Sequence, residues 1–295
     1  MRILVTGAAG FLGSHLTKRL LAKGHEVYGV DNFFRGKREN LPKHEKFGFY
    51  ESDLLNLETA KAIFYEINPE VVIHYAAING TRYFYDIPFK VCDDNIRLTQ
   101  NVLQASELHS VKTIIYASSS EVYGPEPAIP TKESHDIVLK SQSIRDSYAS
   151  SKAIGEFLCN LWAQTNHKDC LIIRPFNTYG PNMINSKYGQ VIPEFIKRAL
   201  SDEDFTIAGS GKQTRSFCHV HDHAEIVEIL IAKKATGIYN LGFDEEITIQ
   251  DLAQKIHTII GKEFKPIYQE AWENDTKWRV PSLEKLKKTI GEHTF

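Results

Sequence analysis

The chain opens on a short apolar strand that runs straight into a glycine-spaced turn and a helix. Ile3-Leu4-Val5 leads into Gly7-Ala8-Ala9-Gly10-Phe11-Leu12-Gly13, and an amphipathic stretch follows over Phe11–Lys23. A strand, a tight glycine turn and a helix in that order form the first half of a βαβ unit. Such a unit commits the chain to a parallel sheet with helices on its faces. The pattern then repeats. Glu26–Val30, Gly48–Glu51, Val71–His74, Thr113–Ala117 and Leu171–Arg174 read as strands. Leu57–Ile67, Asp94–Leu108 and Tyr148–Thr165 read as helices between them.

Strand–helix alternation over this length predicts an α/β fold of the Rossmann type, a doubly wound parallel sheet. Beyond Arg174 the pattern changes. Pro175, Pro181 and several Gly and Asn residues mark irregular structure, and shorter helices are expected at Val191–Leu200, His223–Lys233, Ile249–Ile260 and Leu283–Ile290. The expected division is a dinucleotide-binding domain over residues 1–173 and a smaller, C-terminal, mainly substrate-binding domain over 174–295. A stretch near 211–241 is a candidate to return to the main sheet. A chain of 295 residues is long enough for both.

Composition excludes several classes. With 24% charged residues and a formal net charge of −2, the chain has no basic excess for nucleic acid. No apolar run approaches the roughly 18–20 residues that span a bilayer. The four cysteines, Cys92, Cys159, Cys170 and Cys218, form no Cys-x-x-Cys pair. They read as reduced thiols packed as small apolar groups, which points to the cytoplasm.

The glycine turn carries the first chemistry. Small residues let the backbone approach a pyrophosphate, and a helix N-terminus offers unpaired N–H groups and a favourable dipole. Gly7, Gly10 and Gly13, with Phe11 and Leu12 opening the helix, are the expected phosphate cradle. Asp31 ends the second strand about 20 residues further on, where a carboxylate accepts from ribose hydroxyls and repels a 2′-phosphate. The expected cofactor is therefore NAD. Arg35, Lys37 and Arg38 follow and read as solvated loop charges. Asp53, closing the third strand, is expected either at the adenine edge or as a cap.

A second constellation lies later. Tyr148-Ala149-Ser150-Ser151-Lys152 puts Tyr and Lys four apart, on one helix face. An ammonium beside a phenol stabilises phenolate and makes the tyrosine a usable base. Ser118-Ser119-Ser120-Glu121-Val122-Tyr123-Gly124 follows the fifth strand, at the sheet edge where doubly wound folds bind ligands. A serine there can bond the same substrate oxygen that Tyr148 deprotonates.

Taken together, these residues resemble the extended short-chain dehydrogenase/reductase family, whose members include nucleotide-sugar 4-epimerases, 4,6-dehydratases and uronate decarboxylases. Arg174-Pro175-Phe176-Asn177-Thr178-Tyr179-Gly180-Pro181 is similar to the family's substrate segment, and Gly209–Phe217 to the segment whose arginine, here Arg215, holds a diphosphate. The resemblance implies oxidation of a sugar at C4. Tyr148 would take the hydroxyl proton, Ser119 would position the oxygen, and Lys152 would hold the nicotinamide ribose. It also extends the cofactor site to Asn32, Leu54, Ala76, Ala77 and Asn95, and the substrate site to Asn177, Val191 and Arg279. The substrate would be a UDP-, GDP- or CDP-sugar, and the assembly a homodimer or higher homo-oligomer through the apolar stripes of two long helices.

Glu121 bears most on the fate of the 4-keto sugar. The matching residue is glutamate in dehydratases, as base at C5, and in uronate decarboxylases. Its structural alternative is a helix N-terminus or a neighbouring arginine. Ser120-Glu121 differs from the Asp-Glu of dTDP-glucose dehydratases and matches GDP-mannose dehydratases and uronate decarboxylases. Val30–Phe34, Asn177–Pro181 and Arg279-Val280-Pro281-Ser282 look most like UDP-glucuronate decarboxylases. Arg279 would bind a carboxylate or the nucleotide, or cap the helix expected after it. Ala76–Tyr85 departs from the Ser- and Pro-rich loop of those decarboxylases and is expected to shape the sugar pocket. Decarboxylation, dehydration, epimerisation and release of the 4-keto sugar all fit these motifs, and so does a dinucleotide-sensing protein without turnover. His219-Val220-His221-Asp222-His223 reads as a strand leading into a helix capped by the Asp, with no metal expected.

Overall fold

The first strand, β1 (Arg2–Thr6), sends Ile3 and Val5 into one apolar cluster and Leu4 into another. A strand buried on both faces needs a helical layer on each. The computed structural model describes residues 1–183, 190–201, 204–270 and 277–291. It supplies the layers in chain order: α1 (Phe11–Ala22), β2 (Glu26–Asp31), β3 (Phe47–Glu51), α2 (Leu57–Ile67), β4 (Val71–His74), α3 (Tyr83–Asp86), α4 (Pro88–Glu107), β5 (Thr113–Ala117), α5 (Ser147–Asn166) and β6 (Asp169–Pro175). Next come β7 (Thr178–Tyr179), α6 (Val191–Leu200), β8 (Phe205–Ala208), β9 (Thr214–Arg215), β10 (Cys218–His219), α7 (Val220–Ala232), β11 (Gly237–Leu241), β12 (Ile247–Thr248), α8 (Ile249–Ile260), β13 (Pro266–Gln269) and α9 (Glu284–Ile290).

Seven strands form one parallel sheet in the order β3-β2-β1-β4-β5-β6-β11. Leu16 and Leu20 of α1, Ile226 and Leu230 of α7 and Leu286 of α9 cover one face. Phe64 of α2, Val102 of α4 and Trp162 of α5 cover the other. The strand order reverses between β1 and β4, and that switch point is where such sheets open a ligand crevice.

The C-terminal half divides between two bodies. α7, β11 and α9 join the main sheet and its core. A small lobe is built on Phe195 and Ala199 of α6, Phe205 and Ile207 of β8, and Ile249, Leu252 and Ile256 of α8. Two helices start three or more residues earlier than the sequence reading has them. Helix α4 starts at Pro88, six residues before Asp94, because proline at a first helical position leaves no orphaned N–H. Helix α7 starts at Val220 and is capped by the His219 ring, which accepts from the His221 N–H at 3.4 Å. Asp222 therefore lies inside the first turn and is not the cap.

Two contacts set the depth of α5 against the sheet. At Gly155 an added Cβ would stand 2.0 Å from the Tyr116 hydroxyl oxygen, so only glycine lets the helix pass this close to β5. Next to it, the Glu156 carboxylate accepts from Arg174 of β6 at 2.8 and 2.6 Å and from the Ser118 hydroxyl after β5. Both charged side chains are nearly inaccessible, at 4% and 3% exposure. Removing one partner of a buried pair leaves the other unpaired in low dielectric. Arg174→Ala should therefore lower unfolding free energy by about 3–5 kcal/mol, while Glu156→Met/Arg174→Met together should cost less than either single change. Urea denaturation of Arg174→Ala, of Glu156→Met and Arg174→Met singly, and of the double variant tests this, and a double variant less stable than both Met singles would refute it.

Candidate active site

The C-terminal ends of β1, β2, β4, β5 and β6 lie along one edge of the sheet, and most of the residues singled out from the sequence stand there. The glycine turn after β1 hydrogen-bonds to Val30 of β2 through the Gly7 and Ala8 N–H groups. Gly7 has φ +70°, and a Cβ there would meet the Ala76 nitrogen at 2.9 Å. Helix α1 begins at Phe11 with Gly10 as N-cap; no side chain caps it, and no acidic residue stands in its first turn. A helix end of this kind presents N–H groups and positive potential to an anion.

Asp31 tightens the same corner. Its carboxylate accepts from Ala9 N–H at 3.0 Å and Phe33 N–H at 2.8 Å. Burial raises its pKa, against the pull of those backbone donors. Asn32 donates to Asp53 at 3.2 Å, and Asp53 also accepts from the Leu55 N–H at 2.9 Å. The cap of α2 is Asn56, not Asp53. Leu54 is buried beside them, with its carbonyl held by Asn101. Ala76 donates to Thr6, and Ala77 follows at the mouth of β4. Asn95 faces inward: its amide holds both backbone groups of Ile78, at 2.7 and 3.2 Å, and donates to Ser151 at 3.2 Å.

The second constellation assembles across β5 and α5. Tyr148 and Lys152 are both buried, at 5% and 3% exposure. Burial raises the Tyr148 phenol above its ordinary value, and the Glu121 carboxylate raises it further; a hydrogen bond with Ser119 and the Arg35 guanidinium pull the other way. Ser119 also accepts from the Glu121 N–H at 3.2 Å. The Lys152 ammonium sits 5.0 Å from the Tyr116 ring centre and 5.7 Å from that of Tyr148. Burial brings it down to about 8, with Cys159 and Glu156 opposing.

Glu121 is held by arginines. It pairs with Arg279, which also donates to the Gly124 carbonyl, and with Arg145 at 3.3 Å. Burial would raise its pKa, but Arg279 and Arg145, with Arg215 adding to them, bring it down to about 2. Arg279 therefore does not cap the next helix; α9 starts at Glu284 with Leu283 as N-cap and no side-chain cap. Asn177 lies at the mouth of β6 with φ +34° and donates to the Ser216 carbonyl at 3.0 Å. Val191 begins α6 and packs on the small lobe's core.

Three residues have places in this site that the sequence reading did not give them. Arg145 stands three positions before Tyr148, a spacing that could have drawn attention to it. Arg35 is not a solvated loop charge: it is half-buried, with its guanidinium 5.7 Å from the Tyr83 ring centre. Phe84 stacks on Tyr148, and nothing in its local pattern points there. The histidine run does not gather as ligands; among the described residues no group of three His, Cys, Asp or Glu could hold a metal ion.

A glycine turn on an open helix end, an acid at the end of β2 and a buried Tyr–Lys pair are the marks of one superfamily, and a family profile decides which branch. The profile described as "NAD dependent epimerase/dehydratase family" matches residues 3–242. The chain belongs to that family. It is 36% identical over 303 residues to the UDP-N-acetyl-alpha-D-glucosaminuronate decarboxylase of Bacillus cytotoxicus, covering 99% of this chain and 92% of the relative. It is 33% identical over 296 residues to UDP-glucuronic acid decarboxylase 6 of Arabidopsis thaliana, covering 99% and 83%. Among solved structures it resembles UDP-glucose 4-epimerase of Thermotoga maritima with UDP-glucose, at TM-score 0.91 and 28% identity over 99% of this chain and 93% of that one. It also resembles UDP-glucuronic acid 4-epimerase of Bacillus cereus, crystallised with NAD and a fluorinated UDP-glucuronic acid, at TM-score 0.88 and 30% identity over 98% and 93%.

The residues present fit the family's NAD. The Gly7–Gly13 turn and the uncapped end of α1 suit its pyrophosphate, and the Asp31 carboxylate suits ribose hydroxyls and disfavours a 2′-phosphate. The Lys152 ammonium has a measurable consequence without any ligand. Its folded pKa of about 8 lies below the unfolded value of about 10.4. The penalty for burying the charge is therefore full below about pH 8 and gone above both values. Lys152→Met should raise the thermal midpoint at neutral pH, and the gain should shrink as pH rises through the window between those two values. Melts across pH check it; a gain independent of pH would contradict the assignment.

Proposed function

We propose that this enzyme decarboxylates a UDP-hexuronate, with or without a 2-acetamido group, by transient oxidation at C4. One observation carries the reading: Arg279 and Arg145 pair with the Glu121 carboxylate and Arg215 adds its field, which gathers three guanidinium groups at the end of β5. Guanidinium groups gathered one turn from Ser119 suit a sugar that brings its own carboxylate. The same cluster argues against dehydration. A carboxylate held at about 2 by arginines is a weak base for removing a proton from C5.

Bound NAD supplies the hydride acceptor for oxidation at C4 and the hydride that later restores the hydroxyl. Tyr148, having released its own proton to solvent, takes the C4 hydroxyl proton as phenolate and becomes the phenol again, with Ser119 bonded to the same sugar oxygen. Oxidation makes the sugar a β-keto acid. The C5–C6 bond then breaks, carbon dioxide leaves, and the electron pair passes into an enolate whose oxygen lies at the hydroxyls of Ser119 and Tyr148. A proton returns to C5. Arg279, nearly inaccessible at 3% exposure, holds the departing carboxylate in place.

A second reading, C4 epimerisation of an intact uronate, draws on the likeness to the Bacillus cereus epimerase. A cytoplasmic setting fits the free state of all four cysteines. A homodimer through α4 and α5 fits the exposure of Phe89 and Phe157, at 82% and 65%.

Mass spectrometry of products from UDP-glucuronate and UDP-N-acetylglucosaminuronate decides between the readings. Loss of carbon dioxide is expected, without accumulation of NADH. An isomer of unchanged mass would instead establish epimerisation, loss of water a dehydratase, and accumulating NADH a dehydrogenase. Arg279→Gln should lower kcat/KM for the uronate by about 100-fold or more, since it removes one partner of a buried charge pair.

A further inference from the structure

The loop between β4 and α4 departs from the decarboxylase pattern in sequence, and the structure gives it a task. Its short helix α3 turns Phe84 inward, where the ring is 4% exposed. That ring lies flat on the Tyr148 ring, with centroids 5.0 Å apart and planes inclined by 10°. Ile78 and Val91 complete a small apolar cluster around the pair, apart from the two large cores. Offset stacking of this kind restrains a ring beyond what simple burial does.

The loop is braced at both ends and from outside. Upstream, Asn95 grips both backbone groups of Ile78 and also donates to Ser151, whose hydroxyl donates in turn to the Tyr148 carbonyl at 2.7 Å. Downstream, the Asp86 and Ile87 N–H groups close on Arg82 and Tyr83 before Pro88 starts α4. On the outer side, Tyr83 meets the Phe34 ring at 5.7 Å and the Arg35 guanidinium at 5.7 Å. Phe84 thus presses on Tyr148 from a fixed support.

We propose that Phe84 is a positioning residue for Tyr148: its ring fixes the plane of the phenol toward Ser119 and seals that face from water. The inference rests on Tyr148 as proton acceptor at C4 and is independent of which product the 4-keto sugar becomes. The seal agrees with burial being the foremost reason the phenol stays protonated in the free enzyme. It also makes the loop after β4 part of the machinery for proton transfer.

The test compares Phe84→Ala, Phe84→Leu and Tyr148→Phe. Two readouts are used: the pH dependence of C4 oxidation in single turnover, and the Tyr148 phenol titrated by NMR of ring-labelled tyrosine, assigned by its loss in Tyr148→Phe. In Phe84→Ala water reaches the phenol, so its titration and the acid limb of the rate both move to lower pH. Loss of alignment lowers kcat by about 10–100-fold, with KM little changed. Phe84→Leu keeps water out without a ring to stack; it leaves the acid limb at its wild-type position and recovers part of kcat. If Phe84→Ala does not fold, Phe84→Val gives the same shift in smaller measure. A Phe84→Ala enzyme with wild-type titration and wild-type kcat overturns the proposal. So does lost stability with no change in the pH profile of the remaining activity. A Tyr148→Phe enzyme that still oxidises C4 at the wild-type rate would overturn instead the role of Tyr148 itself.

Discussion

The Glu156 carboxylate is the joint on which the site turns. It takes two hydrogen bonds from Arg174 on β6 and one from Ser118 at the end of β5, while it projects from α5 one turn beyond Lys152. One buried anion therefore fixes the relation among the three elements that carry Ser119, Tyr148, Lys152 and Asn177. A buried pair is weak evidence of stability, because dehydration of both charges opposes their attraction. Its value here is geometric: with so few alternatives for a buried charge, the two strands and the helix have one way to meet.

Around that joint the site separates two kinds of titratable group by environment alone. Tyr148 is surrounded by apolar side chains and stays neutral in the free enzyme. Glu121, a short distance along the same strand edge, sits among arginines and stays ionised. To act as a base the phenol must first lose that proton, a step that positive charge beside it, such as an oxidised nicotinamide would supply, favours. The ionised glutamate is paired with Arg279 and Arg145. Opposite protonation states side by side follow from burial in one case and ion pairing in the other.

Much of this was legible in the chain. Short β-branched runs and helical patterns gave six of the seven sheet strands and the long helices between them, because each element buries its own apolar side chains and advertises them locally. The glycine turn, Asp31 and the Tyr148–Lys152 pair were likewise visible, since each depends on neighbours along the sequence. What was missed lies across the fold. Asp53 bonds Asn32 and the Leu55 N–H where a cap was one expectation, and His219 caps α7 where Asp222 was expected. Arg35 turned inward because Tyr83, on a loop far along the chain, offers its ring.

The sequence by itself determined a doubly wound parallel sheet, a dinucleotide turn and the residue types of the reacting centre, because those follow from local periodicity and from chemistry that needs certain side chains at short spacings. Only the tertiary structure decided which charges meet. Glu121 and Arg279 stand 158 positions apart, and Phe84 and Tyr148 are separated by a helix and a strand, so no local pattern records either contact. They come together because the sheet gathers its strand ends on one edge, and burial there turns proximity into a shifted proton affinity.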